Sequence, residues 1–176
     1  MMQNEVKRKA EEFCNKNGIS SYPVEIVRIC NENGLKVFEE YLESDVSGLI
    51  VVDDKVWNKY DTDKFIIVNL AESAARRRFT IAHELAHFVL HRNGNSLYAH
   101  RDMTNDGVIK SSIEKEANYF AANILMPEKL IKEKVEDIKN ETWGLLPNFV
   151  LIREIADNFV VSESAAEVRL KQLGII

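Results

Sequence analysis

The chain has 176 residues, 45% of them hydrophobic, and its 28 acidic and 23 basic side chains give a formal net charge of −5. This length and composition suit one ordinary globular domain, with or without a small appendage. The acidic balance argues against a domain-wide basic surface of the kind that binds nucleic acid.

The two cysteines, Cys14 and Cys30, are far apart and form no CxxC pair, which argues against a zinc ribbon and against a disulfide framework. Residues 1–10 are charged and polar and do not contain the apolar stretch of a signal peptide. No apolar run in the sequence approaches the length of a transmembrane helix. We therefore expect a soluble, cytoplasmic protein with two reduced thiols and no membrane partner.

The first 70 residues predict two helices followed by three short strands. Asparagine–glycine pairs at 17–18 and 33–34 mark the ends of the helices, and a turn at 53–55 follows the second strand. Short strands joined by tight turns favour antiparallel pairing. The predicted elements are helices over residues 3–16 and 23–31 and strands over residues 35–41, 48–52 and 64–69.

The rest of the chain predicts five helices and one long polar connection. Residues 92–111 hold two glycines and are predicted to form a functional loop. The first of these helices begins between residues 72 and 79 and ends near residue 91, and the others cover residues 112–126, 127–140, 148–158 and 162–173.

The order of these elements predicts an α+β fold. We expect a small antiparallel three-stranded sheet packed with a helical core, followed by C-terminal helices with a helix-turn-helix character. The expected division is a main domain over residues 1–145 and a C-terminal helical subdomain over residues 146–176.

A His-Glu-x-x-His motif at residues 83–87 lies within the apolar, helix-like run 78–91. Residues four apart share one face of a helix, so the imidazoles of His83 and His87 can reach a single metal ion. Glu84 lies about 100° around the helix from His83, close enough to hold a water molecule at that metal. Two histidine ligands and a glutamate base are the residues that metal-assisted hydrolysis needs. The alternative is a buried helix with purely structural histidines, and burying these polar side chains without a partner would cost free energy.

A catalytic metal site usually has three protein ligands, and Glu114 and Glu116 compete for the third position. On a helix Glu114 shares an arc with Ala117, Ala121 and residues 124–125, whereas Glu116 lies on a more polar arc. A carboxylate within a stripe of small residues needs a partner, and the alanines allow this helix to approach the motif helix closely. We therefore favour Glu114 over Glu116 as the metal ligand. Glu116 stays the alternative ligand, although its arc is more typical of a carboxylate that faces solvent.

The remaining chemistry needs a hydrogen-bonding helper and a proton donor. Asn118 lies four residues after Glu114 and is placed to hydrogen-bond a metal ligand. Glu84 is expected to accept the proton of the attacking water and to pass it to the leaving amine. A second group is often needed to stabilise the oxyanion. The candidates for an oxyanion ligand or proton donor are Tyr98, His100 and His91.

Two motifs in the chain carry a family resemblance: RFTIAHELAHFVLH at residues 78–91 and EKEANYFAANILMP at residues 114–127. They resemble, in the same order, the two signature motifs of the ImmA/IrrE family of metallopeptidases. The likeness extends more weakly over residues 65–69, 161–166 and 169–170. Two long motifs in the family's order argue against coincidence.

The resemblance implies a zincin-like helical core and a gluzincin-type zinc site, in which Glu114 is the third ligand and Asn118 its helper. It implies Zn²⁺ as the cofactor, and a site of two histidines and one glutamate can also accept Mn²⁺. The chain departs from the pattern at two positions. Asn118 stands where many gluzincins have aspartate, and Ala86 stands where this family often has glycine.

The resemblance also implies an activity. Members of the family commonly cleave a helix-turn-helix repressor at one site, which relieves the repression of a mobile element or a stress regulon. Similar proteins take part in toxin–antitoxin and phage-defence systems. The chain is thus predicted to be a site-specific, zinc-dependent endopeptidase whose partner is a repressor protein, with residues 1–145 as its metallopeptidase domain.

Two other functions can be weighed from the residues. A DNA-binding regulator would use residues 148–176, where Ser162 can cap a second helix. That segment holds three basic and four acidic residues, whereas a recognition helix presents clustered positive charge, so direct DNA binding is not expected. A non-catalytic protein with a structural metal would not need the base Glu84.

Overall fold

A computed structural model of the chain describes residues 3–52, 60–91, 107–142 and 146–176, without the side chains of residues 107–111. Within these segments the chain forms seven helices and three strands. In chain order they are α1 (Gln3–Lys16), α2 (Ile26–Glu32), β1 (Lys36–Glu40), β2 (Gly48–Val52), β3 (Lys64–Asn69), α3 (Ala74–Leu90), α4 (Gly107–Leu125), α5 (Glu128–Glu141), α6 (Asn148–Phe159) and α7 (Glu163–Gln172). Every predicted helix and strand is present, with the largest shift of a boundary at the start of α4. Residues 107–111 of the predicted polar loop belong to this helix, and residues 92–106 of that loop lie outside the described residues.

Serine caps explain where two of the helices begin. The Oγ of Ser73 accepts a hydrogen bond from the backbone N–H of Arg76 at the start of α3. The Oγ of Ser162 accepts one from the N–H of Ala165 at the start of α7, which confirms the predicted cap. Each cap satisfies a backbone donor that the first turn of a helix leaves without a partner.

The α+β class and the three-stranded sheet are confirmed, but the sheet is mixed where antiparallel pairing was expected throughout. The strand order is β1-β3-β2, and β3 pairs in parallel with β1 and antiparallel with β2. Five of the six residues of β3 are buried, as expected for a central strand. Turn signals compare only neighbours in sequence, so they missed that β3 lies between the two earlier strands.

The seven-residue connection 41–47 between β1 and β2 is held by the side chain of Asn69, which is only 3% exposed. Its Nδ2 donates to the carbonyl oxygens of Val46 at 2.9 Å and Glu43 at 3.3 Å. Its Oδ1 accepts from the N–H of Ala71 at 3.1 Å. One side-chain amide at the end of β3 thus satisfies backbone groups of the connection 41–47 and of the residues that follow β3.

Asn69→Ala is expected to lower the free energy of unfolding by roughly 2–3 kcal/mol, because several part-buried backbone groups lose their hydrogen-bond partner at once. The measurement is urea denaturation followed by circular dichroism. Asn31→Ala, at an exposed position on α2, is the matched control and should change stability by less than about 0.5 kcal/mol. Equal effects of the two substitutions would contradict the role given to Asn69.

The sheet lies against α3, and a glycine makes this contact close. A Cβ at Gly48 would meet the Cγ2 of Thr80 at 2.6 Å and the carbonyl oxygen of Ile67 at 2.7 Å. Only glycine therefore fits at this position without movement of β2 or α3. The contact fixes the edge strand β2 beside the helix that carries the HExxH motif.

Helix α4 packs against both α1 and α3. Ala82 and Ala86 of α3 and Ala117 and Ala121 of α4 are fully buried, which confirms the predicted small-residue contact between the two helices. The apolar cluster that contains them also includes Ile155 and other residues of α6 and α7. The division at residues 145 and 146 stays a prediction. Among the described segments, no helix has both the length and the apolar character that crossing a membrane would require.

Candidate metal centre

Helix α3 places the two histidines of the motif on one face, with their Nε2 atoms 3.0 Å apart. The side chain of His87 is 1% exposed and that of His83 is 16% exposed. Their spacing of four residues, about 400° of helical rotation, puts one imidazole above the other. Both rings thus present a nitrogen to the same point in space.

Helix α4 brings the carboxylate of Glu114 to that point. One oxygen lies 3.2 Å from the Nε2 of His83, and the other lies 3.5 Å from the Nε2 of His87. Among the described residues, His83, His87 and Glu114 form a group whose ligand atoms all lie within 4.8 Å of one another. The alanines at the α3–α4 contact allow this closeness.

The spacing of these donor atoms fits a tetrahedral metal. With metal–ligand bonds of about 2.0–2.1 Å, tetrahedral ligands stand about 3.3 Å from one another. The two Nε2 atoms lie 3.0 Å apart, and they lie 3.2 and 3.5 Å from the two different oxygens of Glu114, so all three separations are close to that value. Two imidazole nitrogens and one carboxylate oxygen are also ligand types that zinc prefers. The residues present therefore fit a zinc ion, and these three could hold it.

The charges around the cluster favour a cation. Burial alone would lower the pKa of His83, but its hydrogen bond with Glu114 and the nearby carboxylate of Glu84 together raise that pKa above its ordinary value. Glu84 is 8% exposed, and burial raises the pKa of its carboxyl to about 7. His83 opposes this increase in the pKa, whereas the neighbouring charge of Glu114 contributes to it.

Asn118 contacts the far side of His83. Its Oδ1 lies 2.9 Å from the Nδ1 of His83. A carbonyl oxygen can only accept, so the Nδ1–H of His83 donates and the lone pair of Nε2 is left facing His87 and Glu114. The structure thus brings Asn118 to a predicted ligand, and it sets which nitrogen of that ligand is available.

His91 and Glu116 form a second chain of contacts behind His87. The Nδ1 atoms of His87 and His91 lie 3.2 Å apart, and the Nε2 of His91 lies 3.1 Å from Oε2 of Glu116. Because a carboxylate accepts, a neutral His91 donates from Nε2 and accepts at Nδ1 from the Nδ1–H of His87. The lone pair of His87 Nε2 is then left for the cluster.

The structure therefore separates the two glutamates that competed for the third position: Glu114 contacts the paired histidines, and Glu116 contacts His91. The expected solvent-facing position of Glu116 is wrong, because its side chain packs against His91 and is only 11% exposed. Sequence reasoning missed the contact between His91 and Glu116. The spacing of four residues between His87 and His91 could have predicted that these two rings meet, but not that Glu116 contacts His91. Tyr98 and His100, the other candidates for an oxyanion ligand or proton donor, lie outside the described residues.

Comparison with known proteins agrees with this geometry. The model of the family Peptidase_M78, IrrE N-terminal-like domain, matches residues 30–171. The metallopeptidase ImmA of Bacillus subtilis is 23% identical over 169 residues, which are 96% of this chain and 86% of that protein. The radiation response metalloprotease IrrE of Deinococcus radiodurans is 35% identical over 101 residues, or 57% of this chain and only 29% of IrrE.

A solved structure shares the fold. A Mycobacterium tuberculosis transcriptional regulator superimposes with a TM-score of 0.62 at 16% identity, covering 95% of this chain and 46% of that one. The metallopeptidase relatives support a peptidase with a divalent metal, which acts on a protein or peptide substrate. Since the family model spans most of the chain and both signature motifs, the protein belongs to the Peptidase_M78 family of IrrE N-terminal-like domains.

Proposed function

We propose that the protein is a zinc-dependent, site-specific endopeptidase that cleaves a helix-turn-helix transcriptional repressor and so derepresses a mobile-element or stress-response regulon. The observation that carries the proposal is the group formed by His83, His87 and Glu114 beside the buried carboxylate of Glu84. The regulatory target is supported by the names of relatives, which include an immunity region protein of Bacillus phage phi105 and a radiation response metalloprotease.

His83, His87 and Glu114 would hold the zinc ion, and manganese is the alternative that the same ligands accept. When bound, the metal supplies Lewis-acid polarisation of the scissile carbonyl and lowers the pKa of water. The protein's own part is to keep the three ligand side chains together, which the contact between α3 and α4 does.

Glu84 is the proposed general base and acid. Its carboxylate accepts the proton of the attacking water and then delivers it to the nitrogen of the leaving amine. A carboxyl whose pKa lies near neutrality can do both at physiological pH, and burial raises the pKa of this one to about 7. A surface glutamate would give up its proton readily but would hold it too weakly to serve as the acid.

Asn118, His91 and Glu116 are proposed as positioning residues. Asn118 fixes the ring of His83, and the pair formed by His91 and Glu116 fixes the ring of His87. In both cases Nδ1 is occupied and Nε2 is kept for the metal. Asn118 is uncharged, so it orients His83 without the increase in basicity that an aspartate would give.

His91→Ala is expected to weaken zinc affinity about 10–100-fold, because His87 loses the acceptor that fixes its tautomer. His91→Gln should recover part of this loss, since an amide oxygen can accept from Nδ1–H. Zinc affinity is measured by competition with a coloured chelator, and Val89→Ala on the same turn of α3 is the control. Unchanged affinity in His91→Ala would contradict the positioning role.

The C-terminal helices support a protein partner over a DNA partner. Arg169 is 1% exposed, so it cannot reach a phosphate backbone. The other two cations of this segment are paired, Arg153 with Glu163 at 3.4 Å and Lys171 with Glu167 at 2.6 Å. A surface without clustered positive charge lacks the main source of affinity for DNA. We therefore propose that α6 and α7 support the core or contact the protein substrate.

The proposal is tested by comparing new protein N-termini in host cells that express the wild type or Glu84→Gln. We expect new termini within one DNA-binding regulator, present only with the wild type. New termini scattered over many unrelated proteins would contradict site specificity. The same set of termini in both strains would contradict peptidase activity of this chain, provided that the purified wild type carries zinc.

A further inference from the structure

A cavity lies beside the metal cluster, between the first turns of α3, the middle of α4 and helix α7. Its volume is about 460 Å³, within the range of small-molecule sites. Arg76, Lys115 and Arg169 contribute to its wall, and none of the described residues that line it is a carboxylate. The Nε of Arg76 lies 3.7 Å from a carboxylate oxygen of Glu72, which does not line the cavity, so the wall itself carries a local concentration of positive charge. We call it the cationic cavity.

Two helix N-termini add to this charge. The capping serines of α3 and α7, Ser73 and Ser162, both line the cationic cavity. The N-terminal end of a helix carries a partial positive charge that favours anions. The first turn of α3 has no acidic residue to offset it. The first turn of α7 has Glu163, but its carboxylate contacts Arg153 and does not line the cavity.

Arg169 supplies an independent indication. Its side chain is 1% exposed, and its Nε donates to the carbonyl oxygen of Met126 at 3.0 Å. Its Nη2 is buried and has no hydrogen-bond partner. The charges of Glu128 and Glu11 act on this guanidinium and offset part of the cost of its burial, and an anion that accepts a hydrogen bond from Nη2 would offset more of it.

The wall is also partly apolar. Phe79, Ala122, Val161 and Val168 contribute to it, and Val168 is 52% exposed although it is a large hydrophobic residue. A purely inorganic anion would leave these groups in water. We propose that the cationic cavity binds a small organic anion, in which an apolar or aromatic group carries a phosphate or a carboxylate.

Asn118 connects the cationic cavity to the metal cluster. It lines the cavity, and its Oδ1 lies 2.9 Å from the Nδ1 of His83. A ligand that shifts Asn118 would change its hydrogen bond with His83, so anion binding and metal binding would be coupled. This coupling rests on the proposed function. Coupling is reciprocal, so each ligand changes the affinity of the other by the same factor.

The site is tested first on the metal-free protein, with phenyl phosphate and benzoate as probes and phenol as the uncharged control. Backbone amide chemical shifts are followed by NMR during each titration. We expect saturable shifts in the first turn of α3, around residue 115 and in α7 with at least one of the two anions, and none with phenol. Phenyl phosphate and benzoate distinguish a phosphate site from a carboxylate site. No saturable shift with either anion would overturn the proposal.

Two exposed wall residues on different helices allow a mutational test without disturbing the core. Lys115→Glu and Val168→Glu should each weaken binding of the better probe at least about tenfold. Lys129→Glu makes the same charge change as Lys115→Glu on α5, where Lys129 is exposed and outside the cavity wall, and should leave binding unchanged. Equal weakening by Lys115→Glu and Lys129→Glu would show adventitious binding to net charge and overturn the site.

Coupling is tested by measuring zinc affinity with and without the saturating probe, using Lys115→Glu to correct for direct contact between the anion and zinc. A change in the wild type that Lys115→Glu abolishes supports the coupling. Unchanged zinc affinity despite probe binding overturns the coupling and leaves the site. Absence of stoichiometric zinc binding would contradict the proposed function, and the NMR titration would still decide the cavity.

Discussion

Glu84→Gln is expected to keep the metal and to lose cleavage by about 10²–10⁴-fold, the range that a positioned acid or base contributes. Glutamine has nearly the same volume as glutamate, so the packing around this 8%-exposed position is retained. Its amide cannot accept the proton of water or return one to the leaving amine. The measurement is single-turnover cleavage of the purified target, with zinc content determined by elemental analysis.

The control for this result is Glu133→Gln, which makes the same chemical change at an exposed position on α5 and should leave the rate unchanged. Loss of zinc from Glu84→Gln would show that Glu84 holds the metal and would contradict its assignment as base. Full cleavage by Glu84→Gln with zinc bound would favour the non-catalytic alternative for the carboxylate and require another base.

The second large effect is expected for Glu114→Ala, which removes one of the three proposed ligands. Its zinc affinity should fall by more than the 10–100-fold that is typical of residues that only orient a ligand. Glu116→Ala removes the same charge two residues along the same helix, so it separates loss of a ligand from loss of negative charge. It should bind one zinc ion per chain, with an affinity lowered as in His91→Ala.

Both variants are compared with the wild type by elemental analysis after gel filtration and by chelator competition. The ligand assignment is wrong if Glu114→Ala retains stoichiometric zinc while Glu116→Ala does not. Comparable losses in both would mean that the net charge of α4 controls metal binding, and neither carboxylate would then be singled out as the ligand.

Much of the cluster could be predicted because its geometry is local to helices. The 3.6-residue period placed His83 and His87 on one face, and it placed Glu114 in the stripe of alanines that packs against α3. These relations depend on one helix at a time. The resemblance of the two motifs to the family's signatures then predicted that these two helices meet at one metal site.

The features that were missed depend on contacts between elements distant in the chain. The central position of β3 goes with the burial of five of its six residues, on both faces of the sheet, which turn signals do not report. Arg169 was counted as a cation available to DNA, yet it is buried against Met126 from 43 positions earlier in the chain. The contact of His91 with Glu116 likewise joins two helices, and periodicity along either one does not reveal it.

The contact between α3 and α4 links the stability of the folded protein to metal binding. The proposed ligands come from two helices that follow one another in the chain with residues 91–106 between them, so a bound ion would act as a cross-link that closes this segment. At a free metal concentration 100 times the dissociation constant, such binding stabilises the folded state by about 2.7 kcal/mol. A shortage of the metal would therefore expose more unfolded chain to proteolysis, in addition to removing the metal-dependent activity. The abundance of the protein would then rise and fall with the supply of the metal.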